Sequence, residues 1–353
     1  MIATVGSSAL LANIERVCAH GGAGRALRLK ILDELRRSVA FDAFAFVLTD
    51  PITGVGASPV AEVPCLPELP RLIRLKYLTE INRWTDLPDR FVSLLAATDG
   101  EPSRSLLWRE LLKQYGVVDV ASAVFRDRHG CWAFLDLWRT APGLPFTAAE
   151  LARLSLVVPA VTDGLRRAQA ATFVQTQAGR EALRGPVVLL LSPDLDVLAE
   201  TVPTFEYLRA LMPSSDGQSP VPAGAYNVAA QLLAREAGVD DGTASACVHA
   251  GGGHWFTLRA ARLGGPGPSA DGTIAVTIED ASGADRVALF ARANALTGRE
   301  TELLTHLNAG KDTHDIAAQM HLSEHTIQDH LKAIFTKTGI RTRRGLLSHV
   351  RGR

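Results

Sequence analysis

Residues 296–353 read LTGRETELLTHLNAGKDTHDIAAQMHLSEHTIQDHLKAIFTKTGIRTRRGLLSHVRGR, and the starts and stops of four helices can be marked directly on them. Thr297, with Glu300 three residues on, forms a capping box in which each side chain takes up an amide left free by the first helical turn. Leu303, Leu304 and Leu307 make one apolar stripe, and Gly310 falls where the chain must leave the helix. Asp312 predicts the cap of a second helix whose inner face is Ile316, Ala317 and Met320, followed by a short turn at His321 and Leu322. Ser323 caps a third helix with Ile327, Leu331, Ile334 and Phe335 at i, i+4, i+7 and i+8. Gly339 stops it, and a fourth helix carries Leu346, Leu347 and Val350.

Two short helices joined by a tight turn predict a helix-turn-helix, and the small Ala317 and Ala318 permit the close crossing it needs. The third helix then becomes the element that enters a major groove, with Gln328, Asp329, Lys332 and Thr336 on its outer face. Its free N-terminal amides and helix dipole suit a phosphate. From Lys332 to Arg353 the chain carries Lys337, Arg341, Arg343, Arg344 and Arg351 as well, with no acidic residue.

This segment resembles the reading head of the LuxR/NarL (GerE-type) family of bacterial regulators. The residues that carry the likeness are Leu296-Thr297-x-Arg299-Glu300, Gly310, Ile316-Ala317, Leu322-Ser323, Thr326-Ile327, His330-Leu331, Ile334, Lys337 and Arg343. The resemblance implies that Gln328, Asp329 and Lys332 face base edges or nearby phosphates. It further implies that Thr313, Ser323, Thr326, Lys337 and Arg343 lie near the DNA backbone, with Arg341 adding to the grip. One departure stands out: many members place a basic residue where this chain has Gln328, and Asp329 adds a negative charge to the same face. Asp can accept from cytosine N4 and Gln can bridge adenine, so the pair suits base readout; the equal alternative is that Asp329 repels phosphates and weakens non-specific binding.

Composition bounds the rest. The 353 residues carry a formal net charge of zero, so nucleic-acid binding must come from a local patch rather than an overall basic excess. Cys18, Cys65, Cys131 and Cys247 are scattered, which indicates neither a zinc knuckle nor a disulfide framework and points to reduced thiols in a cytoplasmic protein. The first residues lack the basic and then apolar pattern of a signal peptide, and no apolar run reaches the length of a membrane span.

The front two-thirds predict two α+β units. In residues 1–171, Leu27, Ile31, Leu32 and Leu35 fall at helical spacing, residues 40–50 read as a strand, and Gly54 and Gly56 suit a turn. Asp127–Gly130 carries hairpin chemistry, and Thr147 with Glu150 opens a closing helix. A helical linker is expected at 172–184. Residues 185–283 read β-β-α-α-β-β-β, with a short helix at 204–212 and exposed loops at 213–224 and 264–272. A connecting helix at 284–295, with Val287, Leu289 and Phe290 on its apolar side, offers either a dimer seam or, equally, a face packed on its parent domain. The first unit resembles a GAF domain and the second a PAS domain, in place of the phospho-acceptor receiver that many relatives carry. The fold class is therefore multidomain: GAF-like, then PAS-like, then an all-α four-helix LuxR-type head at 296–353.

Such sensor units bind small molecules, bind cofactors or only dimerise, and Trp84, Trp108, Trp132 and Trp138 are candidate pocket walls, with core packing as the favoured competing role. No cofactor is implied. His20, His129, His249 and His254 show no helical ligand spacing, which leaves no metal site. Cys131 near His129 resembles a thiol–imidazole pair, but no orienting acid or oxyanion loop accompanies it, so no catalytic residue is assigned. The expected partners are double-stranded DNA, RNA polymerase and a second copy of the chain, with no membrane. The competing expectation is a protein–protein adaptor whose helix-turn-helix no longer binds DNA.

Overall fold

The computed structural model describes residues 2–22, 24–174, 187–201, 222–251, 253–264 and 272–352. The first unit runs α1 (Ile2–Ala19), α2 (Gly24–Ser38), β1 (Ala43–Thr49), β2 (Gly56–Glu62), α3 (Leu69–Leu78), β3 (Val92–Ser93), α4 (Leu94–Ala97), α5 (Leu106–Glu110), β4 (Val117–Asp127), β5 (Gly130–Thr140), α6 (Ala148–Ser155) and α7 (Val158–Ala171). Its antiparallel sheet has the order β2-β1-β5-β4-β3. Alternation sorts the strand residues onto two faces. Phe44 and Phe46 of β1, Ala123 and Phe125 of β4, and Leu135 and Leu137 of β5 pack with Ile14, Leu27, Ile31 and Val161 from α1, α2 and α7. Val47, Val124 and Phe134 belong to the core on the other face.

Local chemistry explains the turns. Asp127 Oδ1 accepts from the amides of His129 and Gly130 at 2.7 and 3.2 Å, closing the β4–β5 hairpin. Gly130 has φ +158°, and a Cβ there would lie 2.4 Å from the Pro51 carbonyl oxygen, so only glycine fits. The Thr147–Glu150 capping box forms, and Arg139 also pairs with Glu150 at 2.7 Å. One expectation needs correction: Gly56 does not end a turn but opens β2. The strand lies at the sheet edge, where Pro59 can sit without an amide to offer.

The second unit comprises β6 (Val187–Leu191), β7 (Val197–Glu200), α8 (Ala223–Glu236), β8 (Ser245–His249), β9 (Trp255–Arg262) and β10 (Ile274–Asp280). Its sheet order is β7-β6-β10-β9-β8. Counted within each unit, both sheets share the order second, first, fifth, fourth, third. The short helix expected at 204–212 lies outside the described residues, as do most of the linker expected at 172–184 and most of the loops expected at 213–224 and 264–272. The described end of the first of those loops, from Ala223, is already α8.

The two sheets are not separately cored. Helix α8 packs against α3 and β2 of the first unit as well as β9 of its own, and one apolar cluster takes residues from both. Buried Arg83 donates to the Tyr77 carbonyl, to Gln231 of α8 at 3.2 Å and to Asp240 at 3.1 Å. Asp50 accepts from the Cys247 amide of β8 at 2.7 Å; burial raises its pKa, against the pull of the amides that hold the carboxylate.

The C-terminal unit contains α9 (Gly283–Ala293), α10 (Gly298–Asn308), α11 (Thr313–Met320), α12 (Glu324–Thr338) and α13 (Arg343–Arg351). Its core joins Val287, Leu289 and Phe290 of α9 to Leu303, Leu307, Ile316, Ile327, Ile334 and Leu346, and also takes in Phe173 and Trp255. The apolar side of α9, expected as a dimer seam, is thus covered within the chain: Val287, Leu289 and Phe290 are all buried. Burying that stripe against the head is the stronger local option, because all three side chains leave water without a second copy. Among the described residues, no helix is long and apolar enough to cross a membrane.

Candidate nucleic-acid interface

The helix-turn-helix is built by its caps. Thr297 Oγ1 accepts from the Glu300 amide while Glu300 accepts from the Thr297 amide at 2.7 Å. Asp312 accepts from the Asp315 amide at 2.9 Å, and Ser323 from the Thr326 amide at 3.1 Å. Between α11 and α12 the chain turns on His321, whose φ of +55° places a non-glycine residue in the left-handed region. Leu322 returns its amide to the Ala317 carbonyl at 2.9 Å, closing the turn. Gly339, φ +70°, ends α12.

Helix α12 buries Ile327, Leu331 and Ile334 and leaves Gln328, Asp329 and Lys332 exposed, as the sequence spacing requires; Phe335 is only half-buried. His325 shares that exposed face, one turn before Asp329, and was missed by the sequence reading. Its i−4 spacing from Asp329 is the signal that would have found it. Asp329 stands between two side chains, 3.0 Å from Lys332 Nζ and 3.6 Å from His325 Nε2. The hydrogen bond from Lys332 holds its carboxyl below the ordinary range. The groove face therefore carries the positive charge of Lys332 already paired with Asp329. At the start of α12, Glu324 accepts from His314 at 3.0 Å, and that contact raises the His314 pKa.

The residues expected at the DNA backbone fall into two groups. Thr313, Ser323 and Thr326 cluster at the N-terminal ends of α11 and α12, and Arg341 is exposed in the loop before α13. Lys337 and Arg343 are already engaged. Lys337 Nζ lies 2.6 Å from the nearly buried Glu300 carboxylate. Burial works to raise the Glu300 pKa, but Lys337 and the Thr297 amide together lower it. Arg343 donates to the Lys311 carbonyl. Arg344, beside it, is exposed.

In the first unit, the four tryptophans part company. Trp84 is fully buried, stacks on Phe134 with ring centroids 4.7 Å apart, and donates to the Gly54 carbonyl at 2.9 Å. Trp108 donates to the Val117 carbonyl at 2.8 Å. Trp132 packs in the α1–α2–α7 core. Trp138 lines two cavities, described below. His129 and Cys131 are not an activated pair: burial lowers the pKa of the first and raises that of the second, so the thiolate is disfavoured. Among the described residues, no group of three or more His, Cys, Asp or Glu side chains is placed to hold a metal ion.

A comparison with curated proteins gives no match to the chain. Residues 294–350 match the family described as "Bacterial regulatory proteins, luxR family". The C-terminal helices are accordingly a LuxR-family helix-turn-helix domain, and that domain indicates a DNA-binding transcription regulator.

Proposed function

We propose that the chain is a sequence-specific regulator, acting as a homodimer, whose head is controlled by a signal received in the front units. In this reading residues 1–171 are GAF-like, 172–184 link, 185–283 are PAS-like, 284–295 connect, and 296–353 read DNA. The observation that carries it is the exposed face of α12, with Gln328, Asp329 and Lys332 held on a well-capped helix whose opposite stripe is buried. RNA polymerase is the further partner if the chain activates transcription.

Control from the front rests on continuous packing. Phe173 stacks on Trp255 of the second unit and meets Phe290 of α9 edge-on, both at 5.3 Å. Arg292 of α9 donates to the His129 carbonyl of the first unit at 2.7 Å. A ligand alters the head only through unequal affinity for two such arrangements. The adaptor reading draws on one observation: Lys332 and Lys337 both spend their charge on carboxylates of this chain. Selection of duplexes from a random pool by the full chain separates the two. A regulator enriches a motif that Gln328→Ala changes at one position; an adaptor enriches none.

A further inference from the structure

Two adjoining cavities lie against the α3 face of the first sheet and share a wall of Lys76, Asp136 and Trp138. One lobe, about 60 Å³, is apolar, with Val47, Leu72, Ile73 and Phe134 around it and Ala223 of α8 at its far side. The other, about 20 Å³, has mixed walls, with Leu94, Leu107 and Val120 facing Thr79, Asn82 and Ser122. Thr79, Asn82 and Trp138 line this lobe, and Thr79 Oγ1, Asn82 Nδ2 and Trp138 Nε1 are buried atoms without a hydrogen-bond partner. Thr79 is 2% and Trp138 1% exposed. Buried polar atoms in native proteins are nearly always paired, so three orphans at one small space call for a partner there. The space supplies the answer: a hydroxyl, an amide and an indole N–H all offer protons, and what fits them is an acceptor.

Charge narrows the acceptor further. Lys76 Nζ sits 2.7 Å from Asp136, which also accepts from Ser122 at 2.7 Å. The two charges cancel, so an anionic guest would bring a net buried charge and a neutral guest would not. Size sets the rest. A water needs about 10–15 Å³ of such space, so the two lobes together have room for about five to eight heavy atoms. Asn82 also lines a wide surface groove of about 810 Å³, so this residue stands between the groove and the smaller lobe.

We propose that the first unit binds a small uncharged carbonyl compound, its oxygen among Thr79, Asn82 and Trp138 and its short apolar tail against Phe134 and Ala223. This rests on the reading of the first unit as a sensor, but binding is measured without DNA, so its failure leaves the reading of the head untouched. Because α8 closes the apolar lobe, the guest touches both front units at once.

The test is calorimetric titration of the full chain at pH 7 with butyramide as the probe and sodium butyrate as its anionic counterpart. Butyramide is expected to bind saturably, one per chain, and butyrate at least about tenfold more weakly. Thr79→Val keeps the shape and removes one donor; Trp138→Phe removes another. Each is expected to weaken butyramide about tenfold, the scale of one hydrogen bond. Without butyramide, Thr79→Val is expected to unfold at the same or a higher temperature, since it deletes an unpaired buried hydroxyl. Absence of saturable binding, equal or tighter binding of butyrate, or an unchanged affinity in Thr79→Val would each overturn the proposal. Should Trp138→Phe fail to fold, Thr79→Val decides alone.

Discussion

Arg286 is the bolt between the second unit and the head, and its replacement by Met is the sharpest way to ask whether the two are mechanically joined. The guanidinium is 7% exposed and lies over the Phe173 ring at 5.6 Å. Nε donates to the Val350 carbonyl of α13 at 2.6 Å and Nη1 to the Gly253 carbonyl of the second unit at 3.0 Å. Methionine keeps the length and the apolar stem but offers no donor. Two bonds from a charged donor are worth about 1.5–3 kcal/mol each. Relief of the desolvation that lowers the Arg286 pKa offsets part of that. The net loss expected is about 2–4 kcal/mol, confined to α9 and α13. Amide exchange read by mass spectrometry should then show those helices opening about 30- to several-hundredfold more often, while β1, β4 and β5 exchange as before. Unchanged exchange in both α9 and α13 would refute the reasoning, and an equal rise across the whole chain would refute its locality.

Further expectations follow from other contacts. Asp329→Asn frees Lys332 for a phosphate, so the slope of log affinity against log salt should steepen by about 0.9 per head, about 1.8 for two heads, and non-specific binding should tighten; duplex titrations at several salt concentrations check both. Arg139 depresses the Glu150 pKa to about 2, below its ordinary value. That pair's contribution is therefore complete above about pH 4.5 and drains away as pH falls toward 2, by at most about 3 kcal/mol. Denaturant unfolding of Glu150→Gln should lose that part of the acid dependence. Gly56→Ala would put a Cβ 2.8 Å from Asn227 Nδ2, so the α8–β2 contact must shift. The expected result is a lower thermal midpoint, with increased amide exchange concentrated in β2 and α8.

The head was legible because its signals are local. Thr297 with Glu300, Asp312, Ser323 and Gly339 act within three or four residues of themselves, and the stripe Ile327, Leu331, Ile334 needs only the helical period. Strands β1, β4 and β5 of the first unit and the strands of the second were legible for the same reason, down to the hairpin on Asp127. What escaped was set by distance along the chain. Nothing near Gly56 announces an edge strand covered by a helix 170 residues away. The pairing of Lys337 with Glu300 joins residues on different helices, so a lysine in a basic run looked free when its charge was already taken. Trp138 could be singled out as an aromatic, but its unpartnered N–H and the Lys76–Asp136 pair beside it exist only once β5 meets α3.

The central claim is that α12 and its flanks hold DNA, and the most direct measurement is the affinity of the full chain for duplex DNA as a function of salt. With Arg341 and Arg344 exposed and the amide-rich starts of α11 and α12 beside them, two heads should make about four to eight phosphate contacts. The account predicts a straight fall of log affinity with log salt, with a slope of about −4 to −7. Binding that is absent at low salt, or that does not weaken as salt rises, would contradict it.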